Sequence, residues 1–138
     1  MTRVLVLVAV GVAALAVAAT AMGGVPTFPT KTISVSGFGK VLAGANNVPL
    51  YTWSKERDHK VHCTGACARA WPPLIVPASA MAMVHPNVNG VMGKFGIIHR
   101  PGGKVQLTLN GMPLYSYVGD GPGEVKCDGV DGWHVVRA

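Results

Sequence analysis

Several kinds of chemistry are missing from this sequence. It has no Gly-x-Ser-x-Gly, no glycine-rich loop of the kind that cradles phosphate and no His-Glu-x-x-His. No four-ligand spacing of the zinc type occurs, and the nearest cysteine pair is Cys-x-x-x-Cys rather than the redox Cys-x-x-Cys. Charged residues are 13 % of the chain and form no block of one sign, so the net charge of +6 reads as scattered solvated side chains and argues against nucleic acid as a partner. Long helical periodicity is absent, and the fold class expected is mostly β and antiparallel. With no catalytic motif, the chain is expected not to be an enzyme. The catalytic alternative, a cysteine with His59 or His62 as base, is weakened because cysteines of exported domains are more often bridged.

What is present begins with an export signal. Arg3 precedes an unbroken Val/Leu/Ala/Gly run over residues 4–19, and Ala19-Thr20-Ala21 offers a small-x-small cleavage site. Cleavage before Met22 is expected, with an uncleaved anchor as the alternative and the only membrane contact. No cysteine lies near that site, which argues against a lipid-modified N-terminus. Removing residues 1–21 leaves 117 of 138, enough for one small domain, with a net charge of +5 once Arg3 is gone. Residues 22–32 combine Gly, Pro and Thr without periodicity and read as a flexible linker. Three cysteines in an exported chain imply at least one disulfide and one cysteine left over.

A single β domain is expected over residues 33–138. Residues 33–36 and 40–43 read as strands around a Gly-Phe-Gly turn, and residues 44–47 as the turn of a hairpin returning through 48–53. Residues 54–62 are charged, lack an apolar face and are expected as a loop in water. One or two helical turns follow at 63–70, stopped by Trp71-Pro72-Pro73. Residues 74–89 read as a proline-punctuated connection, with a short helix at 78–83. Strands at 93–99 and 104–109 follow, and Asn110-Gly111 marks a hairpin into 113–118. Val105, Leu107 and Leu109 are expected to face the core, with Gln106 and Thr108 toward water. Residues 119–132 form a glycine-rich loop and 133–136 a closing strand.

The chain repeats itself. Pro49-Leu50-Tyr51-Thr52-Trp53 falls on Pro113-Leu114-Tyr115-Ser116-Tyr117, Lys40-Val41 on Lys104-Val105 and Cys63 on Cys127 at a constant shift, while Trp71 and Trp133 align within two residues. Two half-repeats, 33–80 and 90–138, each too small to close a core, are expected to pack with pseudo-twofold symmetry.

These residues resemble a family of bacterial secreted repeats of unknown function, predicted lipoproteins with a Tyr-x-aromatic-x-x-acid signature. Tyr115-Ser116-Tyr117-Val118-Gly119-Asp120 matches it, and Tyr51-Thr52-Trp53-Ser54-Lys55-Glu56 matches with Glu56 for the usual Asp. Cys63-Thr64-Gly65-Ala66-Cys67-Ala68 before Trp71-Pro72-Pro73, and Asn110-Gly111-Met112-Pro113-Leu114-Tyr115, resemble two further family elements. The resemblance covers roughly residues 39–136 and implies little mechanism. It favours a Cys63–Cys67 bridge, for which one helical turn would set the Cα atoms ~6 Å apart. Cys63–Cys127 is the rival if the halves meet about a dyad, and Cys127 is the first candidate for the free thiol.

Candidate ligand-binding residues are Tyr51, Trp53, Glu56, Trp71, Tyr115, Tyr117, Asp120 and Trp133. Either the rings cradle a planar or cationic ligand beside the acids, or they pack the core while the acids cap turns. Met81, Met83 and His85 alternate along an extended segment, and His59 and His62 cluster near Cys63; thioether and imidazole ligands suit copper, and haem contact is the related alternative. The function expected is an exported cell-envelope binding or structural module engaging an envelope partner or small ligand. The alternative is a copper- or haem-binding protein of extracytoplasmic redox traffic.

Overall fold

The structure, a computed structural model, describes residues 29–78 and 90–138. Among these, the strands are β1 (Thr30–Val35), β2 (Gly39–Gly44), β3 (Tyr51–Trp53), β4 (Ile75–Val76), β5 (Phe95–His99), β6 (Val105–Leu109), β7 (Met112–Pro113) and β8 (Trp133–Val135), with one α-helix, α1 (Ala66–Ala70). Every strand pairing is antiparallel. The mostly β expectation holds. β1 starts at Thr30, so the last residues assigned to the linker are strand. The expected signal segment, most of the expected linker and residues 79–83 of the expected short helix lie outside the described residues.

Two hairpins begin the two repeats, β1 with β2 and β5 with β6. Each is then extended by the tail of the other repeat. Leu42 N–H donates to Val136 O (2.8 Å) and Val136 N–H to Leu50 O (2.9 Å). In the other half, Leu107 N–H donates to Leu74 O (2.9 Å) and Leu74 N–H to Leu114 O (2.9 Å). Val41 bridges Arg137, as Gln106 pairs with Ile75. β4, which belongs to the first repeat, therefore sits in the second repeat's sheet, in the order β4-β6-β5.

The turns explain why the repeat shift is not constant. Gly44 N–H meets Val48 O across the turn, whereas Leu109 pairs with Met112 around Asn110 and Gly111 alone. The first turn is one residue longer, so β2 matches β6 at a shift of 65 (Gly44 to Leu109), while the segments after the turns match at 64 (Tyr51 to Tyr115). Asn110 (φ 52°) and Gly111 (φ 78°) are both left-handed, as a type I′ turn demands.

Three expectations are corrected, two of them by burial. Gln106 and Thr108 do not face water: all of β6 is buried, and the Gln106 amide is taken up by Leu114 O and Arg100. The charged stretch 54–62 is not wholly solvated. A 3-10 turn at Ser54–Glu56 carries the Glu56 side chain inward, where it is fully buried. The connection after Leu74 is not irregular throughout, since it begins with β4.

Cys63 and Cys67 form a disulfide with Cα atoms 5.1 Å apart, and Cys127 is free. The bridge spans four residues, so its closed loop yields little chain entropy and acts locally. It clamps the loop that enters α1, whose end delivers Trp71 with its N–H on Cys67 O (2.8 Å). Pro72 and Pro73 then stop the helix. The core has two clusters. One is aliphatic, around Leu42, Leu50, Phe95, Leu107 and Leu114. The other is aromatic, around Tyr51, Trp71, Tyr115 and Trp133 with the buried Cys63.

Candidate functional site

The aromatic signature residues sit where β3 and β7 lead away from their hairpins. Tyr51 and Tyr115 exchange backbone hydrogen bonds directly, Tyr51 N–H to Tyr115 O (2.7 Å) and Tyr115 N–H to Tyr51 O (3.0 Å). β3 continues into its pairing with β8, which puts Trp53 opposite Trp133. Cross-strand partners of this kind have side chains close enough to stack.

The rings form one column. Trp53 stacks on Trp133 at 4.9 Å with planes 1° apart, Trp133 on Trp71 at 3.9 Å and 6°, and Trp71 meets Tyr117 at 4.7 Å and 36°. Tyr51 stands edge-on to Trp71 and Tyr115 edge-on to Trp133, each at 5.2 Å. The order mirrors itself: the outer rings are the third residues of the two signatures, and the inner ones are the two tryptophans that follow. Trp71 and Trp133 are in van der Waals contact, which leaves no room for a planar ligand between them. Only the outer rings, Trp53 and Tyr117, are half-buried.

The acids complete the exchange. Tyr51 Oη–H donates to Asp120 Oδ2 at 2.5 Å, and Tyr115 Oη–H to Glu56 Oε2 at 3.0 Å. Tyrosine and acid lie five residues apart within one signature, yet each tyrosine bonds the acid of the other copy. The acids also cap turns at matching places: Asp120 Oδ1 accepts from Lys126 N–H (3.1 Å) and Glu56 Oε2 from His62 N–H (3.3 Å). Burial, then the neighbouring carboxylate, pushes both phenols well above the ordinary tyrosine range. Burial likewise raises both carboxyls, against the opposing pull of the tyrosine hydroxyls and the backbone N–H groups. Glu56 Oε1 is buried without a hydrogen-bond partner among the described residues, which favours its neutral form.

Two residues that were not among the candidate ligand-binding residues finish the site. Arg100 donates from Nη2 to Cys63 O (2.6 Å) and from Nη1 to Gln106 Oε1 (2.7 Å) and Tyr115 Oη (3.3 Å). Gln106 Nε2–H in turn donates to Leu114 O (2.7 Å). At the hairpin shift, their counterparts in the first repeat are the buried Val35 and Val41. One half of the site is thus polar and cationic where the other is aliphatic.

A family model described as a secreted repeat of unknown function matches residues 32–75 and again 96–137. The chain belongs to that family. The two matches cover both halves, and the secreted-repeat description places the domain outside the cytoplasm. No curated protein and no solved structure gives a significant match.

Of the metal-ligand candidates in this secreted repeat, Met81, Met83 and His85 lie outside the described residues. His62 Nε2 pairs with Asp58 Oδ2 at 2.6 Å on the surface, while the His59 ring lies against Gly111, where an added Cβ would come 2.8 Å from Nδ1. Cys63 is bridged, so it offers no thiolate. Among the described residues no three His, Cys, Asp or Glu side chains converge.

The buried acid has a pH signature with a definite sign. A carboxyl whose folded pKa is raised stabilises the fold fully below its ordinary range, and that contribution is lost as pH rises through the folded value. The contribution of Glu56 and Asp120 to stability should therefore fall from about pH 4 upward as they ionise. Glu56→Gln should remove the Glu56 share, gaining on wild type steadily across that window. Urea melts at a series of pH values test this, and parallel curves for the two proteins would count against it.

Proposed function

We propose that the protein is a non-catalytic, extracytoplasmic structural and binding module whose signature residues stitch two repeats into one body, leaving its outer surface to meet an envelope partner. The observation that carries this reading is the crossed pairing of Tyr51 with Asp120 and Tyr115 with Glu56. A ligand cradle keeps its rings and acids free for a guest, whereas here rings satisfy rings and acids satisfy phenols and turns. On this view the Tyr-x-aromatic-x-x-acid pattern is a folding signature.

Intact mass with and without alkylation, on protein recovered from its native compartment, tests the exported and bridged state. The expected product lacks residues 1–21 and takes one alkyl group before reduction, at Cys127, and three after. Titration with Cu(I), Cu(II) and haem tests the binding class. Affinity tighter than about micromolar, some 8 kcal/mol, would replace this reading with a metal or haem carrier.

A further inference from the structure

The chain holds three tryptophans and three tyrosines, and all six belong to the single cluster just described. Indole and phenol are, after the thiol, the side chains most easily oxidised by one electron. Stacking at contact distance couples neighbouring rings electronically. A phenol loses its electron far more readily when a base is hydrogen-bonded to take its proton. The column has each of these features: stacked indoles inside, half-buried rings at its ends, and two edge-on phenols each bonded to a buried acidic side chain.

The two phenols are not equivalent. Arg100 places its guanidinium carbon 5.8 Å from the Tyr115 ring centre and also donates to its hydroxyl, so positive charge is disfavoured there. Lys55 Nζ lies 5.1 Å from the Trp53 ring centre with the same effect at that end of the stack. Tyr51 has its hydroxyl on Asp120 at 2.5 Å and stands edge-on to Trp71, and the lysine on this side, Lys126, gives its backbone N–H to Asp120 Oδ1 and its ammonium to Glu124 and Gly119 O.

We propose that the column relays single oxidising equivalents inward and that Tyr51 is where they come to rest. A one-electron oxidant of the high-potential metal-complex or peroxide-derived radical class takes an electron from an outer ring. The vacancy passes through the stack to Trp71. One electron then moves from Tyr51 to the Trp71 radical cation while the phenolic proton moves to Asp120 Oδ2. The products are a neutral phenoxyl radical, a restored indole and a protonated carboxyl. A one-electron reductant of the ascorbate or thiol class returns the electron, and Asp120 returns the proton.

The test is oxidation of the purified protein by photogenerated ruthenium(III) tris-bipyridine, in a Cys127→Ser background so that the free thiol does not compete. Transient absorption and freeze-quench electron paramagnetic resonance distinguish phenoxyl from indolyl radicals. The parent should yield a phenoxyl radical, Tyr51→Phe should lose it and leave an indolyl radical, and Tyr115→Phe should keep it. Asp120→Asn, which keeps the Tyr51 ring and removes the proton acceptor, should also lose it. Near-ultraviolet circular dichroism establishes that each variant retains the stacked cluster, and any one of the two Tyr51-Asp120 variants that folds is sufficient. A phenoxyl signal that survives Tyr51→Phe, that disappears in Tyr115→Phe, or that never forms in the parent would overturn the proposal.

Discussion

Trp133→Ala should cost the domain about 3–5 kcal/mol, the range for emptying a buried large aromatic position. Trp133 is 3 % exposed and touches three rings at once: Trp53 on one face, Trp71 on the other and the edge of Tyr115. Its removal opens a gap in the middle of the column and uncouples the two signatures. For a domain of this size each kcal/mol moves the Tm by roughly 4–8 °C, so the fall should be at least about 12 °C. Trp53→Ala is the matched control, because Trp53 stacks on a single tryptophan and is only half-buried. It should lower the Tm by much less. Thermal melts followed by far-ultraviolet circular dichroism decide the matter, and equal losses for the two variants would show that the column is not cooperative.

Val136→Pro should be nearly as damaging, for a reason that lies in the backbone. Val136 N–H is the donor to Leu50 O, and Val136 O receives Leu42 N–H. Proline has no N–H, so Leu50 O loses its partner while buried, at about 1–3 kcal/mol. The Val136 side chain also leaves the aliphatic core. A total near 3 kcal/mol is expected, with hydrogen exchange showing that the Leu42 and Leu50 amides lose protection in the first repeat. Leu74→Pro, the corresponding change, should act on Leu107 and Leu114 in the second. If Val136→Pro leaves Leu42 protected, the crossed tails do not hold the hairpins.

Much of this was visible in the chain and some could not have been. Asn110-Gly111, the Trp71-Pro72-Pro73 stop and the Gly-Phe-Gly turn after residues 33–36 are local signals, and they located the turns and the helix end, although the strand expected over 113–118 is reduced to Met112–Pro113 and a bridge at Tyr115. The Cys63–Cys67 bridge and the free Cys127 followed from the family resemblance. Partner choice was hidden because it is non-local. Nothing in Tyr51-Thr52-Trp53-Ser54-Lys55-Glu56 says that Tyr51 bonds Asp120 and not the Glu56 five residues on. Glu56 itself sits in the most charged stretch of the sequence, where burial is the least expected outcome, and only the Ser54–Glu56 turn reveals its direction. Arg100 falls between the two strands expected at 93–99 and 104–109, and Gln106 was read as the wet face of the second. The substitution of Val35 and Val41 by Arg100 and Gln106 was the signal for both, but a shift of 64 instead of 65 misaligned them.

The crossed tails also bear on how such a protein can be made. β2 lies early in the chain and residues 48–50 cover the Leu42–Gly44 end of its second edge at once, yet the Lys40–Leu42 end is covered by residues 136–138, about a hundred positions later. A chain delivered progressively across a membrane therefore carries an open sheet border throughout its delivery, and a bare border of that kind recruits strands from neighbouring molecules. Shortened products would be sticky and not half-working, so completeness of synthesis is written into the architecture itself.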